Sequence, residues 1–362
     1  MHDELFYRIA ITMIPELGPV RIKMLVDFFG DAANIFKAKK KDLLHCVGQA
    51  GAGIKEWKAM ETAEKEMLFI DRHRISALFL TDKDYPKRLL HCYDPPSLLY
   101  YRGSADLNHQ KIVSVIGTRN HTAYGKQVTE DFINEIQQQN VLIVSGLALG
   151  IDGIAHRTAI QYSLPTVGVL AHGLDTVYPS QNKTLAKEML EHGGLLTEFR
   201  MQTQPDKHNF PKRNRIVAGM ADATIVIETA VKGGSMITAS MAHDYNRDLF
   251  AVPGKITDNK SSGCNELIRQ NKAVILTDAS AFIETMGWAD KKKEVKKQKE
   301  LFIELSPEEQ MVVNILKEKK IVPVDELYLK CGLSNSSMAN VILTLELKNV
   351  VCSLPGKMFT LV

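Results

Sequence analysis

Short apolar runs of this sequence end in glycine and are followed by polar or cationic residues. Gly117, Thr118 and Arg119 follow one such run, and Ser145 and Gly146 end another. A glycine lets a ligand come close to main-chain N–H groups, and an arginine guanidinium offers a planar set of donors that suits phosphate. These junctions therefore predict that an anion binds where the apolar runs end.

Residues 207–215 form the densest basic cluster outside the charged run at 288–304, and they combine cations with one aromatic ring. The residues of this cluster that could contact a polynucleotide are Lys207, Phe210, Arg213, Asn214 and Arg215. Cations can follow the phosphates of a single strand while the ring stacks on a base. The alternative is that the ring is a core residue and that the arginines pair with Glu198 and Glu228. We favour the nucleic-acid interpretation, since such partners could also orient the arginines.

Further residues extend the predicted anion-binding surface. Gly234 and Ser235 open a predicted helix and form a nest of N–H groups, and Lys255 follows another apolar run. Lys183 could reach a phosphate or could simply be a surface lysine at a helix start. One mononucleotide needs fewer anion sites than this, so their distribution favours a polymeric anion.

Asp152 and His156 are four residues apart, which places them on one face of a predicted helix. They could act as an acid and a base or as metal ligands. Two ligands are too few for a metal site, so we interpret Asp152 as a capping carboxylate and His156 as a residue that holds a loop. The glycine spacing after Ile116 also differs from a dinucleotide fingerprint. We therefore expect neither a metal nor a cofactor.

Strands and helices alternate from residue 76 to 287, and they must position these side chains. The predicted strands are Ile112–Ile116, Val141–Ser145, Thr166–Leu170, Gly194–Thr197, Ala223–Glu228, Leu249–Val252 and Ala273–Leu276. The predicted helices between them include Gly125–Gln138, Gly153–Tyr162, Gln181–Glu191 and Ser235–Tyr245. This alternation predicts an α/β fold with a doubly wound, mostly parallel sheet, which binds ligands at the carboxyl ends of its strands.

The regions on either side predict separate domains. Residues 1–75 are expected to be wholly helical, with glycine turns typical of helix-hairpin-helix modules or, alternatively, of ordinary helix caps. Residues 288–304 are predicted to be a charged linker. Residues 305–362 predict three helices and a hairpin, which together make a winged helix, with Ser306 and Ser334 as N-caps.

Composition restricts the classes of function. The chain has 362 residues and a formal net charge of +3, so any basic site must be local. It has no apolar run of about 18 residues, and its N-terminus lacks the features of a signal peptide. The five cysteines are scattered without a CxxC pair, which predicts free thiols. We therefore expect a cytoplasmic protein with no membrane span.

The motifs of the central region resemble those of the bacterial DNA processing protein A family, also called DprA or Smf. The matching motifs are Gly117-Thr-Arg119, Ser145-Gly-x-Ala-x-Gly-Ile-Asp-Gly-x-Ala-His156, Gly173-Leu-Asp-x-x-Tyr-Pro179, Phe210-Pro-x-Arg-Asn-Arg215, Gly234-Ser-x-Ile-Thr-Ala239, Val252-Pro-Gly254 and Gly263-Cys-Asn-Glu-Leu-Ile268. The resemblance implies an extended Rossmann-like domain that binds single-stranded DNA and forms a homodimer. It also implies an N-terminal domain like a sterile alpha motif and a C-terminal winged helix.

The resemblance further implies a non-enzymatic role in natural transformation and recombination. Such a protein protects incoming single strands and loads RecA on them. Carried over by position, the residues that would grip phosphate are Arg119, Lys183 and Lys207. Phe210 would stack on or pack against a base, while Arg213 and Arg215 would shape or line the basic pocket.

Two other functions remain open at this point. In a nucleotide-handling hydrolase, similar to phosphoribohydrolases, Glu228 and Arg119 would be catalytic. The scattered acids and the lack of a nucleophile paired with a base argue against this hydrolase. In a duplex-binding regulator, the helix Ser334–Lys348 would enter a groove of DNA. That helix has only Lys348 as a cation, so an accessory or protein-contact module is favoured. One position also departs from the family pattern, since Gly233 replaces the usual serine.

Overall fold

The chain is described by a computed structural model that covers residues 4–289 and 305–362. All but the first two residues of the predicted charged linker, 288–304, lie outside these described residues. No helix within the described ranges combines the length and the apolar character needed to cross a membrane.

The N-terminal region is helical, as predicted. Its helices are α1 (Glu4–Thr12), α2 (Pro19–Phe29), α3 (Ala32–Lys37), α4 (Lys40–Val47), α5 (Ala52–Glu56) and α6 (Met60–Arg72), with one 3₁₀ turn at Gly48–Gly51. Side-chain caps help to set these helices: the Asp31 carboxylate accepts the Asn34 N–H at 2.7 Å at the start of α3. Glu4 also accepts the N–H groups of Ala32 and Ala33.

The central region forms one nine-stranded sheet. Its strands are β1 (Ser76–Phe79), β2 (Leu98–Gly103), β3 (Ile112–Ile116), β4 (Leu142–Ser145), β5 (Thr166–Val169), β6 (Gly193–Thr197), β7 (Ala223–Val226), β8 (Asp248–Ala251) and β9 (Val274–Ile275). Their spatial order is β1-β2-β6-β5-β4-β3-β7-β8-β9. Strands β3 to β9 are parallel, while β1 and β2 pair antiparallel at one edge. The predicted doubly wound, mostly parallel sheet is confirmed.

Helices cover both faces of this sheet. They are α7 (Lys87–Leu90), α8 (Ala123–Ile136), α9 (Ile151–Gln161), α10 (Lys183–His192), α11 (Asn209–Met220), α12 (Gly234–Asp244), α13 (Ser262–Arg269) and α14 (Ala279–Thr285), with 3₁₀ turns at Gln137–Gln139 and Ser180–Asn182. Alternate residues of β3 face opposite sides, as a strand requires. Ile112 and Ile116 join one core, whereas Val113 and Val115 join the other.

The helical region and the sheet share a hydrophobic core. Phe79, Leu98 and Tyr100 of β1 and β2 belong to the same buried cluster as Phe6 and Leu25 of the helices. The proposed division at residue 75 therefore separates helices from strands but does not separate their packing. Neither β1 nor β2 was predicted, because these strands depend on antiparallel pairing at the sheet edge and on packing against the N-terminal helices.

The C-terminal region has the architecture of a winged helix, as predicted. Its elements are α15 (Pro307–Glu318), β10 (Ile321–Pro323), α16 (Val324–Cys331), α17 (Asn335–Leu347), β11 (Val351–Leu354) and β12 (Met358–Leu361). Ser306 caps α15 in a reciprocal capping box with Glu309, and the Ser334 hydroxyl accepts the Ser337 N–H at the start of α17. Both predicted N-caps are confirmed.

The wing turn between β11 and β12 packs against the central domain. The Gly356 N–H donates to Oδ2 of Asp248 at 2.6 Å. Asp248 is the first residue of β8, so this contact lies at the amino edge of the parallel strands. The winged helix therefore contacts the amino ends of the parallel strands, whereas ligands are expected at their carboxyl ends.

Candidate nucleic-acid interface

A cleft of about 510 Å³ opens where the order of the parallel strands reverses. From β3 the chain proceeds through β4 to β6 on one side, and from β7 to β9 on the other. Loops after the strands separate at such a point and leave a crevice. The predicted residues that line this cleft are Gly117, Thr118, Arg119, Gly146, Lys207, Phe210, Arg213, Asn214, Gly234 and Ser235.

Arg119 is exposed on the loop that follows β3. The Thr118 N–H donates to the carbonyl of Glu228 at 2.7 Å, and the Ile151 N–H donates to the carbonyl of Thr118 at 3.2 Å. Gly150 has a φ of +80°, and a Cβ there would lie 2.3 Å from the Thr118 carbonyl oxygen. This loop is thus held between the segment after β7 and the start of α9, and Arg119 on it lines the cleft.

Phe210 lies in the first turn of α11 and is half-buried. The guanidinium carbon of Arg119 lies 5.1 Å from the centre of the Phe210 ring, which is a cation–π distance. The centre of the Tyr178 ring lies 6.2 Å from that of Phe210, and the two rings are tilted by 56°. Phe210 therefore borders the cleft, and with Tyr178 it also lines a second, smaller hollow of about 40 Å³.

Arg213 lies beneath the cleft with only 5% of its surface exposed. Its Nη1 donates to the carbonyl of Val169 at 2.8 Å and to that of Gly146. Burial lowers the pKa of Arg213 to about 10, and the nearby carboxylate of Asp152 opposes this shift. Arg213 stays charged at neutral pH, so it is a fixed positive charge of the cleft rather than a mobile phosphate ligand.

Arg215 does not reach the cleft, although the sequence interpretation placed it in the basic pocket. Its guanidinium pairs with the Glu198 carboxylate and donates to the Asp94 carbonyl. Residues two apart on a helix point about 200° apart, so Arg213 and Arg215 cannot both face one cleft. The alternative interpretation of the basic cluster, in which its arginines pair with acids, had named this pairing of Arg215 with Glu198.

Glu228 is fully buried and pairs with no arginine among the described residues. Its Oε2 accepts the Thr122 N–H at 2.9 Å, and its Oε1 accepts the Thr122 hydroxyl. Thr122 is the N-cap of α8, so Glu228 holds the start of that helix. This carboxylate does not line the cleft, and it has no position from which to attack or protonate a ligand there.

Three other predicted residues also lie outside the cleft lining. Ser145 is fully buried, and its hydroxyl donates to the carbonyl of Val115 at 2.6 Å. Lys183 is exposed at the start of α10, and Lys255 is exposed beyond the end of β8. Ser145 therefore joins two strands, while contacts of the two lysines with DNA stay predictions.

Asp152 and His156 have structural contacts. Oδ2 of Asp152 accepts the Ala148 N–H at 3.3 Å, which holds the loop after β4. Nδ1 of His156 lies 2.7 Å from the hydroxyl of Thr166, and that hydroxyl donates to a main-chain carbonyl. Burial lowers the pKa of His156 to about 3, so its ring is neutral. Within the described part of the chain, no three His, Cys, Asp or Glu side chains are grouped as metal ligands would be.

Sequence reasoning missed several residues that line the cleft after β7. Thr229 and Ala230 lie three and four residues beyond the end of β7, and Thr238 lies one turn into α12. The hydroxyl of Ser235 donates to that of Thr229 at 2.7 Å, which closes the loop onto the helix start. The position of Thr229 just after the predicted strand Ala223–Glu228 was the available signal.

The fold and the site together define a Rossmann-like protein. Its cleft lies at the switch point, where the order of the parallel strands reverses, and is lined by cations and an aromatic ring. The family model for DNA recombination-mediator protein A matches residues 76–287, and the model for the DprA winged helix domain matches residues 299–357. The chain belongs to the DNA recombination-mediator protein A family, whose members are called DprA or Smf.

Curated relatives and solved structures agree with this membership. Protein Smf of Synechocystis sp. is 34% identical over 284 residues, 76% of this chain and 71% of that protein. DNA processing protein DprA of Bacillus subtilis is 40% identical over 211 residues, 58% of this chain and 71% of that protein. The X-ray structure of DprA from Streptococcus pneumoniae has a TM-score of 0.68 at 30% identity and covers 78% of this chain and 98% of its own.

A second similar structure is that of DNA processing protein A from Helicobacter pylori, described for its unique single-stranded DNA binding mode. It has a TM-score of 0.54 at 34% identity and covers 59% of this chain and 95% of its own.

Substitution of Gly150 by alanine should disturb the loop that presents Arg119. The new Cβ would need a φ of +80° and would lie 2.3 Å from a main-chain oxygen. We expect Gly150→Ala to lower the free energy of unfolding by about 1–3 kcal/mol, measured by urea denaturation. Gly234→Ala is the matched control, since a Cβ there meets nothing within 4 Å. Equal stability of the two variants would contradict the clamped loop.

Proposed function

We propose that this protein binds single-stranded DNA along the cleft at the switch point and acts in DNA processing during transformation and recombination, without catalysing a reaction. The observation that carries the proposal is the pair formed by Arg119 and Phe210. An exposed guanidinium lies 5.1 Å from a half-buried ring at the cleft edge. Such a pair offers one group to a phosphate and the other to an unpaired base.

The charges around the cleft support a polymeric ligand. Arg119 has no ion-pair partner among the described residues, and Lys207 is exposed at the same cleft. Arg213 adds a fixed charge from below. Lys183 and Lys255 would extend contacts beyond the cleft, because a strand of several nucleotides is longer than the cleft itself.

The hydrolase alternative gains no support from the site. Asp152 is the one acidic residue that lines the cleft among the described residues, and its carboxylate is bonded to the Ala148 N–H. Glu228 holds a helix start instead of facing the cleft. A hydrolytic reaction needs a base placed near the reacting bond, and no free carboxylate of the described residues has that place.

Removal of the Arg119 guanidinium should weaken strand binding. Arg119→Ala should cost about 1.5–3 kcal/mol in affinity for an oligothymidine strand, because a charged hydrogen bond to phosphate is lost. Fluorescence anisotropy of a labelled strand measures this. The slope of log affinity against log salt should also fall by about 0.7.

Arg72→Ala is the matched control, because Arg72 is an exposed arginine of α6 outside the cleft. It should bind the strand as the unsubstituted protein does. Unchanged affinity in Arg119→Ala, or tight binding of a free nucleoside monophosphate in place of the strand, would reject the proposed function.

The winged helix should be dispensable for strand binding. Its wing contacts Asp248 at the amino edge of the sheet, and Lys348 is engaged with Glu309 at 2.7 Å. We expect a chain that lacks residues 301–362 to bind oligothymidine with unchanged affinity in the anisotropy assay. Circular dichroism must first show that the shortened chain is folded. Loss of binding by a folded truncation would assign the strand contact to the winged helix.

We further propose that the protein is a cytoplasmic homodimer and loads RecA on the bound strand. Family membership supports these roles, and the sheet has an open edge at β9, where Val274 and Ile275 are each about half exposed. Pairing of two such edges would cover apolar surface. Sedimentation should give twice the chain mass, and the protein should speed RecA filament formation on a protected single strand. A monomer, or an unchanged RecA rate, would refute the corresponding role.

A further inference from the structure

Glu66 is a buried carboxylate of the N-terminal helical region, distant in sequence from the residues that line the cleft. It lies on α6, and only 2% of its surface is exposed. Its Oε1 accepts the main-chain N–H of Met201 at 3.1 Å. Burial raises the pKa of Glu66, while this N–H and the charge of Arg200 oppose the rise. A carboxylate in such a place is costly unless it is bonded, so its bond to Met201 has a structural purpose.

Met201 belongs to the segment 198–208, which joins β6 to α11. This segment includes Lys207 and leads directly into the turn of helix that carries Phe210. The segment is held at several other points. Glu198 pairs with Arg215, and the Gln202 N–H donates to Oδ1 of Asp175 at 2.9 Å. The position of Met201 therefore influences where two of the proposed DNA contacts begin.

The same segment packs against the loop that follows β5. The Gly173 N–H donates to the carbonyl of Thr203 at 3.1 Å. A Cβ at Gly173 would lie 2.5 Å from the Arg200 carbonyl oxygen and 2.9 Å from Cα of Met201. The two loops therefore pack closely against each other.

One of these two loops carries Tyr178, and the other leads into the helix turn that carries Phe210. Tyr178 lies on the loop after β5, and its ring is 6.2 Å from that of Phe210. Leu174, from the same loop, packs against the core of the N-terminal helices. The helical region thus holds the loops by an apolar contact through Leu174 and by a polar one through Glu66.

We propose that Glu66 is a positioning residue for the single-strand cleft. Its bond to the Met201 N–H fixes the segment that leads to Lys207 and Phe210. The N-terminal helical region thereby supports the part of the cleft where the Phe210 and Tyr178 rings lie. This inference rests on the proposed function, since it assigns a further residue to the same site.

The test measures oligothymidine affinity by fluorescence anisotropy in full-length variants. Glu66→Ala removes the acceptor of the Met201 N–H and should weaken oligothymidine binding about tenfold. A loss of this size lies within the range of coupling free energies between contacting residues. Glu66→Gln keeps an acceptor oxygen and should restore affinity to within about twofold of the unsubstituted protein. Glu64→Ala, at an exposed residue of the same helix, should bind normally. If Glu66→Ala does not fold, Glu66→Met fills the volume without an acceptor and takes its place.

A double-mutant comparison separates positioning from general damage. If Glu66 acts through Phe210, its substitution should cause little further loss in a Phe210→Ala background. An equal loss in both backgrounds, or normal binding by Glu66→Ala, would overturn the proposal. Normal binding by Glu66→Ala together with weak binding by Arg119→Ala would remove this inference alone. Failure of the unsubstituted protein to bind the strand would instead remove the proposed function.

Discussion

The buried guanidinium of Arg213 is the interaction on which the cleft depends. It donates to the carbonyls of Gly146 and Val169, and these residues stand at the ends of β4 and β5. A charge in this position must be compensated, and Asp152 supplies a carboxylate nearby. The result is a helix, α11, that is tied to two strand ends, with positive charge placed below the cleft floor.

The opposite side of α11 is tied down as well. Arg215 pairs with Glu198 and with the Asp94 carbonyl, so the helix is held on two faces by two arginines two residues apart. Phe210 and Asn214 share the cleft-facing side with Arg213, as residues three and four apart on a helix do. Because the helix is held in this way, the aromatic ring is presented to a ligand with little freedom, which lowers the entropy lost on binding.

Much of this arrangement was predictable because its signals are local. A buried parallel strand needs a short apolar run, and a glycine must follow where the chain turns toward a ligand. Ile112–Ile116 agrees with the prediction at both ends. Strands β1 and β2 escaped prediction because their place depends on antiparallel pairing at the sheet edge and on packing against distant helices such as α1. That information lies in contacts between residues far apart in sequence.

The doubly wound sheet, the winged helix and the caps Ser306 and Ser334 could all be predicted from residue patterns along the chain. Which cations reach the cleft depends instead on the packing of the folded chain. Arg119 and Lys207 face it, whereas Arg215 is turned into an ion pair with Glu198. Residue type and spacing show that a side chain can bind phosphate. The direction in which it points, and whether an acid has already neutralised it, depend on how the elements pack together.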